Sequence, residues 1–310
     1  MGGVHGYGTV FRTTPSGALT TLYSFCSCGD GANPNALAQA ANGDFYGTTS
    51  GEGPGTVFKI TPNGTLTTLH SFCSQSNCAD GFGPDGALVQ ATNGDLYGTT
   101  AGGGGPIGAG TVFKITPAGA LTTLYSFCPQ GPPCTGGSSP YAGLVQGTDG
   151  NFYGTTSGGG AYGGGTVFEI TPSGTLTMLY SFCSQTGCTD GSVPYAGLVQ
   201  GTDGNFYGTT TGFGEAGTYG TVFSLNAGLG PFVETQPTAG PVGATAKILG
   251  TNLSGATSVS FNGTAAVFTV VSPSLITTIV PAGATTGTVQ VVTPNAPNGT
   301  LSSDVPFRVP

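Results

Sequence analysis

Apolar residues along this chain recur at every second position in short runs, and no helical period of useful length occurs. In LTTLYSF (121–127), Leu121, Thr123, Tyr125 and Phe127 fall on one side and Thr122, Leu124 and Ser126 on the other, the pattern of a half-buried strand. GLVQ, FYGTT and GTVFKITP are runs of the same kind, dominated by β-branched and aromatic residues. Turns such as TDGN and TNGD separate them, and their Asp-Gly and Asn-Gly pairs accept the positive φ of a tight hairpin.

The runs repeat in tandem. GTVF begins at Gly8, Gly55, Gly110, Gly165 and Gly220, at spacings of 47, 55, 55 and 55. Between copies come LTTLYSF or a close variant, a cysteine-bearing loop, LVQ or LAQ, a glycine turn, and FYGTT or LYGTT. Residues 140–156 and 194–210 are identical. Four short strands per unit predict an all-β fold, a β-propeller of about four four-stranded blades, each needing its neighbours to bury its faces. GLVQ, the shortest run, is expected innermost and TLTTLYSF outermost. The chain starts with the third and fourth strands of a unit, passes through three whole units, and stops at a third strand, GTVFSL (220–225). The terminal pieces are expected to complete one blade between them. One GTVF strand is then surplus and leaves an edge able to pair with another chain.

After PFVETQP (231–237) the pattern changes, and residues 231–310 contain neither Cys nor GTVF. Short strands every eight to twelve residues predict an immunoglobulin-like β-sandwich. The expected domains are a propeller over 1–228 and a sandwich over 229–310.

The succession of GTVF, ITP, LTTLYSF, AGLVQ and FYGTT over about residues 2–226 resembles the bacterial GloVer (Gloeo/Verruco-type) tandem repeat. That resemblance implies an extracytoplasmic, propeller-like repeat protein and no particular activity. Residues 231–310 resemble IPT/TIG domains through Pro237, Gly243, Gly250-Thr251-Asn252, Val259-Ser260-Phe261, Val280-Pro281 and Gly287. This resemblance implies a spacer, adhesive or dimerisation module.

Composition narrows the function. Only 6% of residues are charged, and 59 glycines and 22 prolines make up about a quarter of the chain. Without periodicity that content would read as disorder, which the strict repeat excludes. Before residue 230, Arg12, Lys59 and Lys114 stand against eleven acids; after it, Lys247 and Arg308 balance Glu234 and Asp304. With no basic patch, neither nucleic acid nor an anionic membrane surface is an expected partner. No apolar run reaches 18 residues, so no membrane span is predicted. MGGVHGYGTVF has no signal-peptide regions and matches the repeat segment GGGAYGGGTVF (158–168), so a processed or shortened N-terminus of a secreted protein is expected.

Eight cysteines fall in pairs, Cys26/Cys28, Cys73/Cys78, Cys128/Cys134 and Cys183/Cys188. Zinc needs four converging ligands, and His5 and His70 are too few to complete pairs on separate blades. No Cys-x-x-Cys opens a helix, which argues against redox catalysis. Local disulfides in an oxidising compartment remain, with Cys26/Cys28 the tightest ring. No cofactor or metal is expected. The cysteine loop of the short 47-residue repeat is expected to differ most from the others.

Asp30, Asp80 and Asp190 precede a glycine in three cysteine loops, and Asp44, Asp95, Asp149 and Asp203 lie at hairpins. Calcium would need six to eight oxygens, so these acids read as turn residues. His70 replaces the Tyr of LYSF in a packing slot, and no Ser-His-Asp arrangement is evident. Glu169 shares its register with Lys59 and Lys114 and reads as a solvated residue. Gln39, Gln90, Gln146 and Gln200 hold one position in the inner strand, either as a hydrogen-bonded ring or as an axial site for water or a polar ligand. Sequons for N-glycosylation occur at Asn63, Asn252, Asn262 and Asn298.

The expected function is therefore non-enzymatic and structural, at the cell surface or outside the cell, with self-assembly through strand edges and the C-terminal domain. The alternatives are glycan binding through Tyr141 and Tyr195, and, ranking third, a propeller-type lyase or hydrolase.

Overall fold

The computed structural model describes residues 2–51, 53–212 and 219–310. Met1, on which the reading of a shortened start falls, lies outside them, as do the acids Glu52 and Glu215. The described residues contain no α-helix, only single 3₁₀ turns at Ser76–Cys78 and Thr186–Cys188. The chain divides into two compact units, Met1–Val199 with Gly208–Phe223, and Gln200–Tyr207 with Ser224–Pro310.

The repeats form five successive antiparallel sheets. Sheet I holds β1 (Thr9–Thr13) and β2 (Leu19–Ser24). Sheet II holds β3 (Ala32–Gln39), β4 (Phe45–Gly51), β5 (Thr56–Ile60) and β6 (Leu66–Ser71). Sheet III holds β7 (Val89–Gln90), β8 (Leu96–Thr100), β9 (Thr111–Ile115) and β10 (Leu121–Ser126). Sheet IV holds β11 (Val145–Gln146), β12 (Phe152–Thr156), β13 (Thr166–Ile170) and β14 (Leu176–Ser181). Sheet V holds β15 (Val199–Gln200), β16 (Phe206–Thr209) and β17 (Val222–Leu225). In each full sheet the strands lie side by side in chain order, the arrangement of a propeller blade, with the GLVQ and LTTLYSF strands at opposite edges.

Three sequence features fix the blade. The glycine of FYGTT clears space for its neighbours: a Cβ on Gly98 would lie 2.7 Å from both Phe113 and Leu88. The ring of the third strand and the leucine of the first therefore cross over the second strand. The threonines after that glycine pair with the threonine of GTVF, as in Thr100–Thr111 at 2.8 Å, where both hydroxyls are buried. In the fourth strand the simple alternation breaks, because Leu22, Leu69, Leu124 and Leu179 are skipped by the ladder as bulges. The bulged carbonyl then reaches the next sheet's third hairpin: Leu69 O lies 2.9 Å from where a Cβ of Gly119 would stand.

Each sheet turns one apolar face forward and the other backward. Val57, Tyr46 and Phe72 of sheet II pack with Leu88, Leu96, Phe113 and Ile115 of sheet III, and sheets III and IV repeat the arrangement. The aromatic after each LYS meets the next GTVF edge to face, as in Phe72–Phe113 (5.2 Å, 65°) and Phe127–Phe168 (5.4 Å, 64°). Side-chain-to-backbone bonds also cross: the Thr99 hydroxyl donates to Ala142 O at 2.8 Å.

The terminal sheets do not complete one blade between them, as the sequence reading expects. Among the described residues β1 pairs with β2 alone, and β16 lies between β15 and β17. β17 already fills the third-strand place that β1 would take.

In the second unit, β18 (Val233–Gln236), β19 (Thr245–Gly250), β20 (Ser258–Phe261), β21 (Thr264–Ala266), β22 (Phe268–Ser272), β23 (Leu275–Ile279), β24 (Val289–Val292) and β25 (Thr300–Ser302) build a sandwich. Its sheets run β18-β19-β23-β22 and β21-β20-β24-β25. Ile248, Ile276, Val259, Val289, Val291 and Phe261 close the core between them.

Candidate functional site

Each cysteine loop follows a fourth strand, and the structure joins the pairs as Cys26–Cys28, Cys73–Cys78, Cys128–Cys134 and Cys183–Cys188. The loops of sheets II and IV share one conformation, a 3₁₀ turn closed by the second cysteine. In the short repeat the first bridge spans two residues, and β3 starts early, at Ala32, taking over what is loop elsewhere.

A carboxylate ties these loops to the preceding strand. Asp80 is buried and accepts from the backbone N–H of Ser74 (3.1 Å) and Gln75 (3.3 Å), from Ser74 Oγ (2.7 Å) and from His70 Nε2 (3.0 Å). Asp190 repeats the pattern with Ser184, Gln185 and the phenol of Tyr180 (2.8 Å), and Asp30 accepts from Tyr23 at 2.9 Å. Burial works against the charge on Asp80 and Asp190, but these donated bonds outweigh it and hold both carboxyls below their usual range. Burial, then the bond to the acid, pushes the Tyr23 phenol up; for Tyr180, burial and Asp190 outweigh the opposing bond from Ser184. The turn reading of these acids is thus incomplete, and His70 is a member of the clamp rather than only a packing residue. A signal for this was in the sequence: the Tyr or His of each clamp is followed in the cysteine loop by an Asp-Gly pair, Tyr23 by Asp30, His70 by Asp80 and Tyr180 by Asp190.

The third loop departs from this. Gly136 stands where the others have Asp, and Pro129, which has no N–H, stands where Ser74 and Ser184 donate. The Tyr125 phenol oxygen lies 3.1 Å from where a Cβ of Gly136 would be.

Ser74, His70 and Asp80 are a nucleophile, a base and an acid in one loop, but their geometry does not build a triad. Both Ser74 Oγ and His70 Nε2 bond the carboxylate, and the serine donates its proton to the acid instead of to the histidine. Cys26, Cys28 and Asp30 also cluster, but both sulfurs are joined to each other.

Gln39, Gln90 and Gln146 donate to the carbonyls of their own hairpins, Gly43 (3.5 Å), Gly94 (3.0 Å) and Gly150 (3.1 Å), and Gln90 also accepts from Ala41 N at 2.9 Å. Gln200 is buried. Gln39, Gln90 and Gln146 thus lock their hairpins, each through a turn carbonyl four residues away. Glu169 is partly buried and accepts from Asn151 at 2.6 Å; in sheets II and III the same register holds ion pairs, Lys59–Asp44 (3.9 Å) and Lys114–Asp95 (3.7 Å). Asn63, Asn252, Asn262 and Asn298 are all exposed, though Asn262 donates its amide to Thr285 Oγ1 (2.8 Å) and Thr286 O (3.2 Å). Tyr141 and Tyr195, both exposed, meet with ring centroids 5.1 Å apart.

Apolar side chains are exposed at both terminal sheets of the array. In sheets II to IV the Val and Phe of GTVF are fully buried, but Phe11 of sheet I is 56% exposed and Val222 of sheet V is 81% exposed. Val199 of β15 and Thr209 of β16 are exposed too, whereas Val89 packs on the next sheet and Thr48, Thr99 and Thr155 are buried donors to it. Leu37 of β3 is exposed because no first or second strand of sheet I lies before it, while Leu88, Leu144 and Leu198 are buried.

The sequence matches the model of the Gloeobacter/Verrucomicrobia repeat over residues 1–223 and again over 130–251. The chain belongs to this repeat family. Residues 232–309 match the IPT/TIG domain. None of the curated proteins matches the chain. Among solved structures it is similar to the extracellular domain of a hybrid two-component system from B. thetaiotaomicron, at 14% identity and a TM-score of 0.46, over 70% of this chain and 24% of that one. TolB from Acinetobacter baumannii is 12% identical with a TM-score of 0.46, over 97% of this chain and 62% of that one. A nidogen/laminin complex gives 13% identity and a TM-score of 0.44, over 75% and 79%. The family member described here spans about a quarter of the first of these chains.

Proposed function

We propose that this repeat-family protein is a non-enzymatic structural subunit of the cell exterior that assembles with copies of itself through the ends of its repeat array. The observation that carries this reading is the contrast between Phe11 and Val222, exposed, and their counterparts in sheets II to IV, fully buried. Apolar side chains left exposed where the repeat elsewhere buries them fit interaction surfaces. Local disulfides fit an oxidising compartment. The commitment of Ser74 and His70 to Asp80 favours a structural over a catalytic role for that loop. The array (1–228) supplies the contact faces and the sandwich (229–310) serves as a spacer or second contact module.

Sedimentation velocity over a concentration series, with electron microscopy of native material, tests this. Concentration-dependent oligomers or filaments are expected, and a strict monomer throughout would sink the reading. Glycan binding is a second reading, supported by the exposed Tyr141–Tyr195 pair. Under it, a glycan array shows binding that Tyr141→Ala abolishes.

A further inference from the structure

The self-assembling reading leaves open how the two ends meet, and the register of the repeats answers that question. We propose that β1 of one copy replaces β17 beside β16 of another. One complete blade then forms from β15 and β16 of the first chain and β1 and β2 of the second. This inference rests on the reading above and specifies its contact.

β17 and β1 carry the same sequence, Gly-Thr-Val-Phe at 220–223 and at 8–11. β17 is held by the Thr210–Thr221 hydroxyl pair (2.8 Å), by Thr221 N donating to Thr210 Oγ1 (3.0 Å), and by Phe223 against Phe182 (5.0 Å, 66°). The same hydroxyl pair joins second and third strands in every full sheet, at 2.8 Å in Thr49–Thr56 and Thr156–Thr166. Thr9 and Phe11 stand at the matching places of β1, so β1 can make each contact that β17 makes.

β1 also brings what β17 lacks. It carries β2 already paired at its far edge, with Phe25 packed on Phe58 of the following sheet at 5.3 Å. Among the described residues β17 has no fourth strand, and Val222 projects into solvent. β17 is thus a four-residue placeholder, and a complete third-and-fourth-strand pair outcompetes it by the edge and face it adds.

The exchange accounts for exposures that are otherwise unrelated. Phe11 takes the place of Phe223 under Phe182. Val199 and Thr209 gain the next sheet that covers Val89 and accepts from Thr99 elsewhere. Leu37 of the second chain gains first and second strands before it, the cover that Leu88 and Leu144 have. The occupant is a second copy of this chain, because among the described residues β1 bonds β2 alone while GTVF followed by LTTLYSF is the segment that fits.

The test uses the full chain. Phe11→Asp is on an exposed ring, and circular dichroism checks that it folds. It is expected to weaken association by about tenfold or more, as loss of a buried aromatic anchor does. Phe223→Asp loosens the placeholder and is expected to leave association intact or strengthen it. Mixing Thr9→Cys chains with mass-labelled Thr210→Cys chains is expected to yield an interchain 9–210 bridge by mass spectrometry. Assembly that survives Phe11→Asp, with no 9–210 bridge, overturns strand exchange while self-assembly stands. In chains carrying both Thr9→Cys and Thr210→Cys, a bridge found only within single chains overturns it in favour of ring closure. A wild-type monomer at every concentration removes both readings.

Discussion

His70 Nε2 lies 3.0 Å from Asp80 Oδ2, in the position that Tyr180 takes toward Asp190. Two different side chains thus serve one buried carboxylate, and the cost of losing that carboxylate is the first prediction. Asp80→Ala would leave the Ser74 and Gln75 N–H groups, the Ser74 hydroxyl and the His70 ring without their acceptor. Unpaired buried donors cost about 1–3 kcal/mol each before relaxation or water entry. We expect a net loss of about 2–3 kcal/mol in array stability, measured by chemical denaturation, and a smaller loss for His70→Tyr, which restores the residue that the chain's other repeats carry there.

The third loop allows the converse experiment. Gly136→Asp supplies the missing carboxylate beside the Tyr125 phenol, but Pro129 still withholds one donor. The double change Gly136→Asp with Pro129→Ser is therefore expected to raise the thermal midpoint more than Gly136→Asp alone, by about 1 kcal/mol in stability. Equal midpoints for the single and double variants would show that Pro129 does not limit the clamp.

The blade repeat, its strand order and the sandwich were legible in the sequence, because period-two runs and Asn-Gly turns are local signals. The bulge at Leu124 was not, since it depends on a glycine in the next sheet receiving its carbonyl. The clamp was half legible: Asp80 read as a turn residue because its partners lie up to ten positions upstream and meet it only once the loop folds back. The shared register of the glutamines was legible, but their bonds to a carbonyl four residues on were not, since these form only once each hairpin closes.

The repeat array and the C-terminal sandwich should respond to acid with opposite signs. Asp80 and Asp190 are held low on folding, so their contribution is present above the ordinary carboxylate value and is lost as pH falls through the lower folded value. Burial raises Glu234 and Asp304, and for Glu234 the charge of Asp304 adds to it. Their contribution is fully present below the ordinary carboxylate value and is lost as pH rises through the raised folded value. Burial also raises Asp85 in the array, against a lowering bond from Ser50, so the array's slope is a difference. Calorimetry across pH 3–7 (about the carboxylate range) is the measurement. Asp80→Asn is expected to flatten the array's acid loss, and Glu234→Gln to flatten the sandwich's opposite trend.

The bridges should add modest, local stability. Cys73–Cys78 is separated by five residues and Cys128–Cys134 by six, and loops of that size constrain the unfolded chain by about 2 kcal/mol on the chain-entropy view. Thiol titration of the native protein should find no free cysteine, and Cys73→Ser with Cys78→Ser should lower stability by about that amount without unfolding the array.

Gly98→Ala tests the blade itself. Its Cβ would meet the Phe113 ring and the Leu88 methyl at 2.7 Å each, and both side chains are buried. Neither can retreat, because Phe113 is packed edge to face on Phe72 of the preceding sheet. Overpacking of this kind costs about 1–3 kcal/mol, and the displaced ring also carries contacts between sheets II and III. We therefore expect a loss at the upper end of that range. Gly43→Ala offers a comparison, since nothing lies within 4 Å of its Cβ and only its positive φ opposes the change. A similar loss for both variants, by chemical denaturation, would place the cost in backbone conformation and not in the crossing of Phe113 and Leu88 over the second strand.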